Sequence, residues 1–188
     1  MAQLHYLAIT SVDGFVADSD GLFDWAMPDE EVHAFVNQLE RPVGTYLYGR
    51  RMYEIMRYWA DVPDLENEPA VIVEFADIWQ RAEKVVYSTT LAEVDTSRTR
   101  VERVFDPRAI AQMKETAGSD IGVGGPGLAS HALAAGLVDQ LHLVVAPVVV
   151  GAGRHFLQGD HRLDLDLTQE RRFSNGMVYL QYAVQQQC

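Results

Sequence analysis

Asp120-Ile-Gly-Val-Gly-Gly-Pro-Gly-Leu-Ala-Ser-His-Ala-Leu-Ala-Ala-Gly-Leu-Val-Asp139 governs how this chain folds. A short apolar run climbs into four glycines and one proline between positions 122 and 127, and small residues follow over 126–135. That order is a strand, a tight turn and a helix start. Glycine lets a ligand approach the backbone, and the first N–H groups of a helix are free and carry partial positive charge. The stretch therefore suits a phosphate or pyrophosphate. A sharp reversal without any ligand would ask for the same glycines, because it needs positive φ. Gly122, Gly124 and Gly127 also spell G-x-G-x-x-G, the dinucleotide fingerprint. That motif expects an acidic residue at the end of the next strand. Residues 138–150 run through Leu-Val-Val-Ala-Pro-Val-Val-Val into Gly151 with no such acid, which ranks the ordinary Rossmann reading second.

Upstream, residues 3–10 form a nearly continuous apolar run and predict a buried strand. Asp13-Gly14 and Asp20-Gly21 mark 11–27 as a loop. Pro28 then opens a helix with Asp29, Glu30 and Glu31 in its first turn, where the dipole favours acids. Val32, Phe35, Val36 and Leu39 supply its apolar face. A strand at 45–48 ends in Gly49, and 50–58 reads as helix. After an acidic loop at 61–69, Ile72, Phe75, Ala76 and Trp79 mark another helix. Strands are predicted at 84–87 and 100–104, and Asp106-Pro107 caps a helix reaching 117. Downstream of the Gly-rich turn, 138–150 reads as one long strand. Leu163, Leu165 and Leu167 alternate with polar residues, as do Val178, Leu180, Tyr182 and Val184, and Asn175-Gly176 between them signals a hairpin. The sum is a single α/β domain over 1–188 with a mixed sheet.

Composition narrows the function. A net charge of −12 with no offsetting basic cluster argues against nucleic acid and anionic membrane surfaces. No apolar stretch has spanning length, and the first ten residues lack a basic signal-peptide start. The one cysteine is Cys188, so no internal disulfide or Cys-based metal site is expected, and a cytoplasmic location follows. Histidines at 5, 33, 131, 142, 155 and 161 are scattered without metal-ligand spacing, so no metal is expected.

Four segments line up in order. They are Tyr6-Leu-Ala-Ile-Thr-Ser-Val-Asp-Gly-Phe15 with Asp20-Gly-Leu-Phe-Asp-Trp25; Tyr48-Gly-Arg-Arg-Met-Tyr-Glu54; Lys84-Val-Val-Tyr-Ser-Thr-Thr-Leu91; and Gly122-Val-Gly-Gly-Pro-Gly-Leu128 with Gly136-Leu-Val-Asp-Gln-Leu-His-Leu143 and Ala146-Pro-Val-Val-Val-Gly-Ala-Gly153. This set resembles the dihydrofolate reductase-like superfamily. Its nearest branch is the one related to the reductase domain of the bifunctional riboflavin-biosynthesis deaminase/reductase. The resemblance implies a mainly parallel sheet with a C-terminal antiparallel hairpin, binding NADPH. It places Gly49, Arg50, Arg51 and Met52 at the start of a helix that meets the cofactor phosphates. Two arginines there suit a 2′-phosphate through charge-assisted hydrogen bonds. Ser88 and Thr89 match further phosphate and ribose contacts. Gly124, Gly125, Pro126, Gly127 and Leu128 match the turn under the pyrophosphate and nicotinamide. Ala8 and Ile9 match the strand whose backbone meets the nicotinamide amide.

On the substrate side, Ser11, Asp13 and Gly14 keep the branch's first motif, but Leu7 and Phe15 stand where it has Lys and Arg. Trp25 falls where the family keeps an aromatic, and Glu31 (with Glu30 next) is nearest to the first-helix carboxylate of dihydrofolate reductases. The implied activity is an NADPH-dependent reductase passing hydride to a small heterocycle or imine-like substrate. Alternatives within the family are 5-amino-6-(5-phosphoribosylamino)uracil reductase and dihydrofolate reductase itself, and outside catalysis a nucleotide-binding module. If a protein carboxylate gives the proton, Glu31 or Asp13 should be buried with a raised pKa. A homodimer is the expected assembly.

Overall fold

Among the described residues, ten strands divide into a large sheet and a small ribbon. Those of the sheet are β1 (Leu4–Thr10), β3 (Val43–Gly49), β4 (Glu83–Tyr87), β5 (Thr99–Glu102), β6 (Asp120–Gly124), β7 (Gln140–Val145), β9 (Leu165–Arg172) and β10 (Val178–Val184). The ribbon consists of β2 (Phe15–Asp18) and β8 (Gly153–His155). The sheet order is β5-β4-β3-β6-β1-β7-β10-β9. The computed structural model describes residues 1–160 and 162–185, so His161 and Cys188 lie outside the described residues. Across the sheet from β5 to β7 the strands run parallel, while β10 is antiparallel to both β7 and β9. The β9–β10 turn is the Asn-Gly one: Gly176 takes φ +88°, and Asn175 Oδ1 accepts from Met177 N at 3.0 Å.

Alternation along the strands gives the sheet two cores. On β3, Leu47 faces one side while Tyr46 and Tyr48 face the other; on β4, Val85 and Val86 divide likewise. The first side is covered by α4 (Pro107–Thr116) and α5 (Pro126–Ala134), with Ile110, Leu128, Ala129 and Leu133 buried against Leu4, Tyr6 and Ile121. The second carries α1 (Glu30–Glu40), α2 (Arg50–Met56) and α3 (Ala70–Arg81). Phe75 and Trp79 of α3 pack on Tyr46 and Tyr48, and Val32 and Phe35 of α1 pack on Val144, Phe173 and Tyr179. Each such aliphatic side chain, fully buried, contributes about 1.5–3 kcal/mol.

The structure departs from the sequence reading in three places. Asp29 is the N-cap of α1, not a first-turn residue, and its carboxylate accepts from Val32 N at 2.9 Å. The apolar run 138–150 is not one strand. β7 stops at Val145 because Pro147 has no N–H and restricts Ala146. The chain then turns and forms β8. The loop 11–27 contains β2, which pairs antiparallel with β8. That two-stranded ribbon depends on Gly153, at φ +143°: a Cβ there would sit 2.1 Å from the Ala17 carbonyl oxygen.

Candidate functional site

The parallel strands β1, β3, β4 and β6 deliver their C-terminal ends to one edge of the sheet, where ligands bind in open α/β folds. β1 pairs with β6 only as far as Tyr6↔Val123, yet continues on β7 to Thr10↔Val145. Residues 7–10, including Ala8 and Ile9, are thus laddered on one side only, beside the Gly-rich turn.

The glycines of that turn have different reasons. A Cβ at Gly124 would lie 2.6 Å from the Tyr48 ring, and one at Gly125 3.1 Å from Met52 Cβ. Those two glycines serve packing, and Gly125 also takes φ +90° as the N-cap of α5. Met52 supports the turn from beneath. Gly127 has nothing within 4 Å of its Cβ position, and Gly49 only Leu128 Cβ at 4.0 Å. Packing does not require glycine at either position, and both line a cleft of about 440 Å³. A side chain at either would take up part of that cleft.

The same cleft is lined by Arg50, Ser88, Thr89 and Leu128, four of the candidates marked in the sequence. It also contains residues that no motif flags: Tyr87, Thr90, Arg103, Phe105 and His131. Ser88 Oγ accepts from Leu91 N at 2.9 Å and Thr90 N at 3.2 Å, which curls the strand end into a tight turn. Arg103 Nη1 donates to the carbonyls of Ser88 (2.8 Å) and Leu91 (2.6 Å) and so staples that turn. Burial pushes the Tyr87 hydroxyl up to about 12, keeping it a neutral donor. Arg103 follows a short, half-exposed strand, so its sequence context resembles any surface arginine. Arg50 and Arg51, read together from sequence, part company: Arg51 lines a different cleft, against the β2–β8 ribbon.

The proton-donor expectation does not hold. Glu31 is bound by the Ser174 hydroxyl (2.7 Å), Ser174 N (3.1 Å) and Arg171 (2.9 Å), and these partners hold its carboxyl below the usual range. It ties α1 to the terminal hairpin. Asp13 accepts from Val150 N (3.1 Å) and Gly151 N (2.7 Å), and the Ser11 hydroxyl together with these backbone groups lowers it to about 2. Neither carboxyl carries a proton near neutrality. Ser11 is fully buried and also accepts from Phe15 N at 2.9 Å, so it shapes the first loop from within. Phe15 stacks on His155, with centroids 4.1 Å apart. Trp25, on a 3-10 turn at Asp24–Ala26, packs with Ile9 and Val148 against the α1 core, and its indole Nε1 is buried without a hydrogen-bond partner among the described residues. Among the described residues, no group of three or more His, Cys, Asp and Glu is placed to hold a metal ion, and no helix is long and apolar enough to cross a membrane.

Comparison with known proteins agrees with this architecture. The uncharacterized protein YyaP of Bacillus subtilis (strain 168) is 30% identical over 181 residues, which is 94% of this chain and 91% of that protein. A Shewanella sp. PV-4 protein assigned provisionally to riboflavin biosynthesis superposes with a TM-score of 0.76 at 18% identity, covering 98% of this chain and 99% of its own. A pyrimidine reductase-like protein of Corynebacterium diphtheriae gives 0.70 at 18% identity, covering 99% and 93%. These two share the fold. The profile described as the RibD C-terminal domain matches residues 3–179, and the chain belongs to that family.

Proposed function

We propose that this protein is an NADPH-dependent reductase acting on a small planar heterocycle or imine-like substrate. The cleft at the strand ends carries this reading. Gly49 and Gly127 are kept free of side chains there for no internal reason, and Arg50 and Arg103 approach from separate elements. Membership of the RibD C-terminal domain family supports a reductase.

In this reading Arg50, Arg103, Ser88, Thr89 and Thr90 hold the cofactor's 2′-phosphate end. Arginine forks match such a dianion. Phe105 and His131, with ring centroids 6.1 Å apart, offer flat faces to the base. Gly124, Gly125, Pro126, Gly127 and Leu128 carry the pyrophosphate at the start of α5. The half-laddered backbone of Ala8 and Ile9 meets the nicotinamide amide. Bound NADPH supplies the hydride. Trp25, packed beside Ile9 and Val148, backs the end of β1 from the α1 side. With Glu31 and Asp13 held ionised, the proton comes from water. Leu7 and Phe15 in place of cations point away from the phosphoribosyl uracil substrate.

A nucleotide-binding module without turnover is the second reading, favoured by the missing protein acid. Calorimetric titration with 2′,5′-ADP and 5′-AMP tests the cofactor cleft. The expected result is a preference of about ten-fold or more for 2′,5′-ADP, abolished in Arg50→Ala and Arg103→Ala. Equal binding of the two nucleotides contradicts it. NADPH oxidation with pterins, flavin precursors or small imines then separates the reductase from the module.

We further propose a homodimer. β9 ends the sheet with one edge unpaired, and such an edge is a template for pairing with a symmetric copy. Sedimentation equilibrium at micromolar concentration should give about twice 21.0 kDa; a mass of 21.0 kDa contradicts the dimer.

A further inference from the structure

The tandem Arg50-Arg51 serves two clefts rather than one. Arg51 lines a second cleft, of about 450 Å³, together with Arg154 of β8 and the turn at 18–21. Acids outnumber bases 27 to 15 in this chain, and most of its arginines are taken up by them. Arg41 pairs with Glu74, Arg57 with Asp95, Arg98 with Glu83 and Arg171 with Glu31. Arg51 and Arg154 have no such partner among the described residues, although Asp18 and Asp20 border the same cleft. Asp18 is spent on its own turn, where Oδ1 accepts from Asp20 N (2.9 Å) and Leu22 N (2.8 Å). Asp20 is exposed to water.

The backbone is built to hold Arg154 in place. Arg154 pairs with Ala17 across the β2–β8 ribbon, and the neighbouring Gly153 admits no side chain. Asp13, clamped onto Val150 and Gly151, fixes the approach to β8 from the other side. Two unneutralised guanidinium groups, one of them on a braced ribbon, face a common space in an acidic protein. Guanidinium pairs of this kind recognise oxyanions through forked hydrogen bonds.

We infer that Arg51 and Arg154 form an oxyanion site for a phosphate or carboxylate group, separate from the Ser88 cleft. Only the identity of the molecule that fills the site rests on the cofactor reading. The oxyanion belongs to an acidic substituent of the reducible substrate.

The test uses inorganic phosphate as probe, at matched ionic strength, on free and NADPH-saturated protein. Wild type, Arg154→Ala and Arg154→Lys are compared, with thermal melts to verify folding. If the site takes a substrate anion, phosphate binds the NADPH-saturated wild type. Arg154→Ala then weakens it about ten-fold, Arg154→Lys weakens it less, and NADPH affinity stays unchanged. That result supports the site. An Arg154→Ala protein that binds NADPH about ten-fold more weakly, with 2′,5′-ADP binding unaffected, would assign the arginines to the cofactor and overturn the separate site. A folded Arg154→Ala protein that binds phosphate and NADPH as the wild type does would overturn it. Should NADPH not bind at all, the cofactor reading fails, and phosphate binding to the free protein still decides the arginine site.

Discussion

Arg50 and Arg103 line the Ser88 cleft from different elements, so in the proposed cofactor reading truncating each removes its own hydrogen bonds to the 2′-phosphate. Removing one charge-assisted hydrogen bond costs about 1.5–3 kcal/mol, and Arg103→Ala removes the carbonyl staple as well. Arg103→Lys should recover part of the charge but not the two-carbonyl geometry, leaving 2′,5′-ADP affinity between those of Arg103→Ala and the wild type. Glu31→Gln should leave turnover intact and lower the melting temperature, because it loosens the hairpin tie to Ser174 and Arg171. Reduced turnover with an unchanged melt would return Glu31 to the chemistry. Individual site residues are only half legible in the sequence. Gly49, Arg50, Ser88 and Gly127 announce themselves in motifs. Arg103 and His131 do not, because their meaning comes from a strand end and a helix face that only the fold brings together. Arg51 cannot be told from Arg50 in a motif, since adjacent residues at a helix start point in different directions.

α5 and the β2–β8 ribbon each depend on one glycine, and for opposite reasons. Gly127→Ala meets open space and adds helix propensity, so the protein should gain about 0.4–1 kcal/mol of stability while binding NADPH less tightly. Unfolding and titration of the same variant read both effects; a gain in stability with undiminished binding would remove the ligand explanation for this glycine. Gly153→Ala drives a Cβ into the Ala17 carbonyl, with a cost of about 2 kcal/mol and loss of phosphate binding at Arg154. Periodicities and caps make the helices, the central strands and the terminal hairpin readable from sequence. The ribbon stays hidden because β2 and β8 are only four and three residues long. Pairs that short carry no pattern of their own and exist through long-range contact. The run 138–150 misleads for a related reason: its apolar composition outlasts the backbone pairing that Pro147 ends.

The sheet as a whole contains a polar seam unrelated to the cleft. Beneath α1, His5 Nε2 lies 3.7 Å from Glu40 Oε1, Tyr46 donates to Glu40 at 2.7 Å, and His5 meets His142 edge to face at 5.0 Å. Tyr179 and Gln140 occupy the two nitrogens of His142. Burial, with His5 beside it, lowers His142 from 6.5 to about 4. The unfolded chain therefore binds a proton that the folded one refuses, and stability falls as pH drops from 6.5 to about 4, by up to about 3 kcal/mol. Burial alone would raise Glu40, but the nearby His5 imidazole and the Tyr46 hydroxyl keep it below the usual range. Its contribution is present above the unfolded value and disappears at still lower pH, as the folded carboxyl takes up a proton. Urea unfolding across this range should show the decline, and His142→Gln should flatten its upper part; a flat wild-type profile would contradict the burial argument. The Ser88 cleft proposed to hold the cofactor is open to a single titration: NADPH and NADH added to the purified protein, followed by nicotinamide fluorescence and tryptophan quenching. Saturable NADPH binding, about ten-fold or more tighter than NADH, is expected. Equal affinities, or binding of neither, would contradict the assignment.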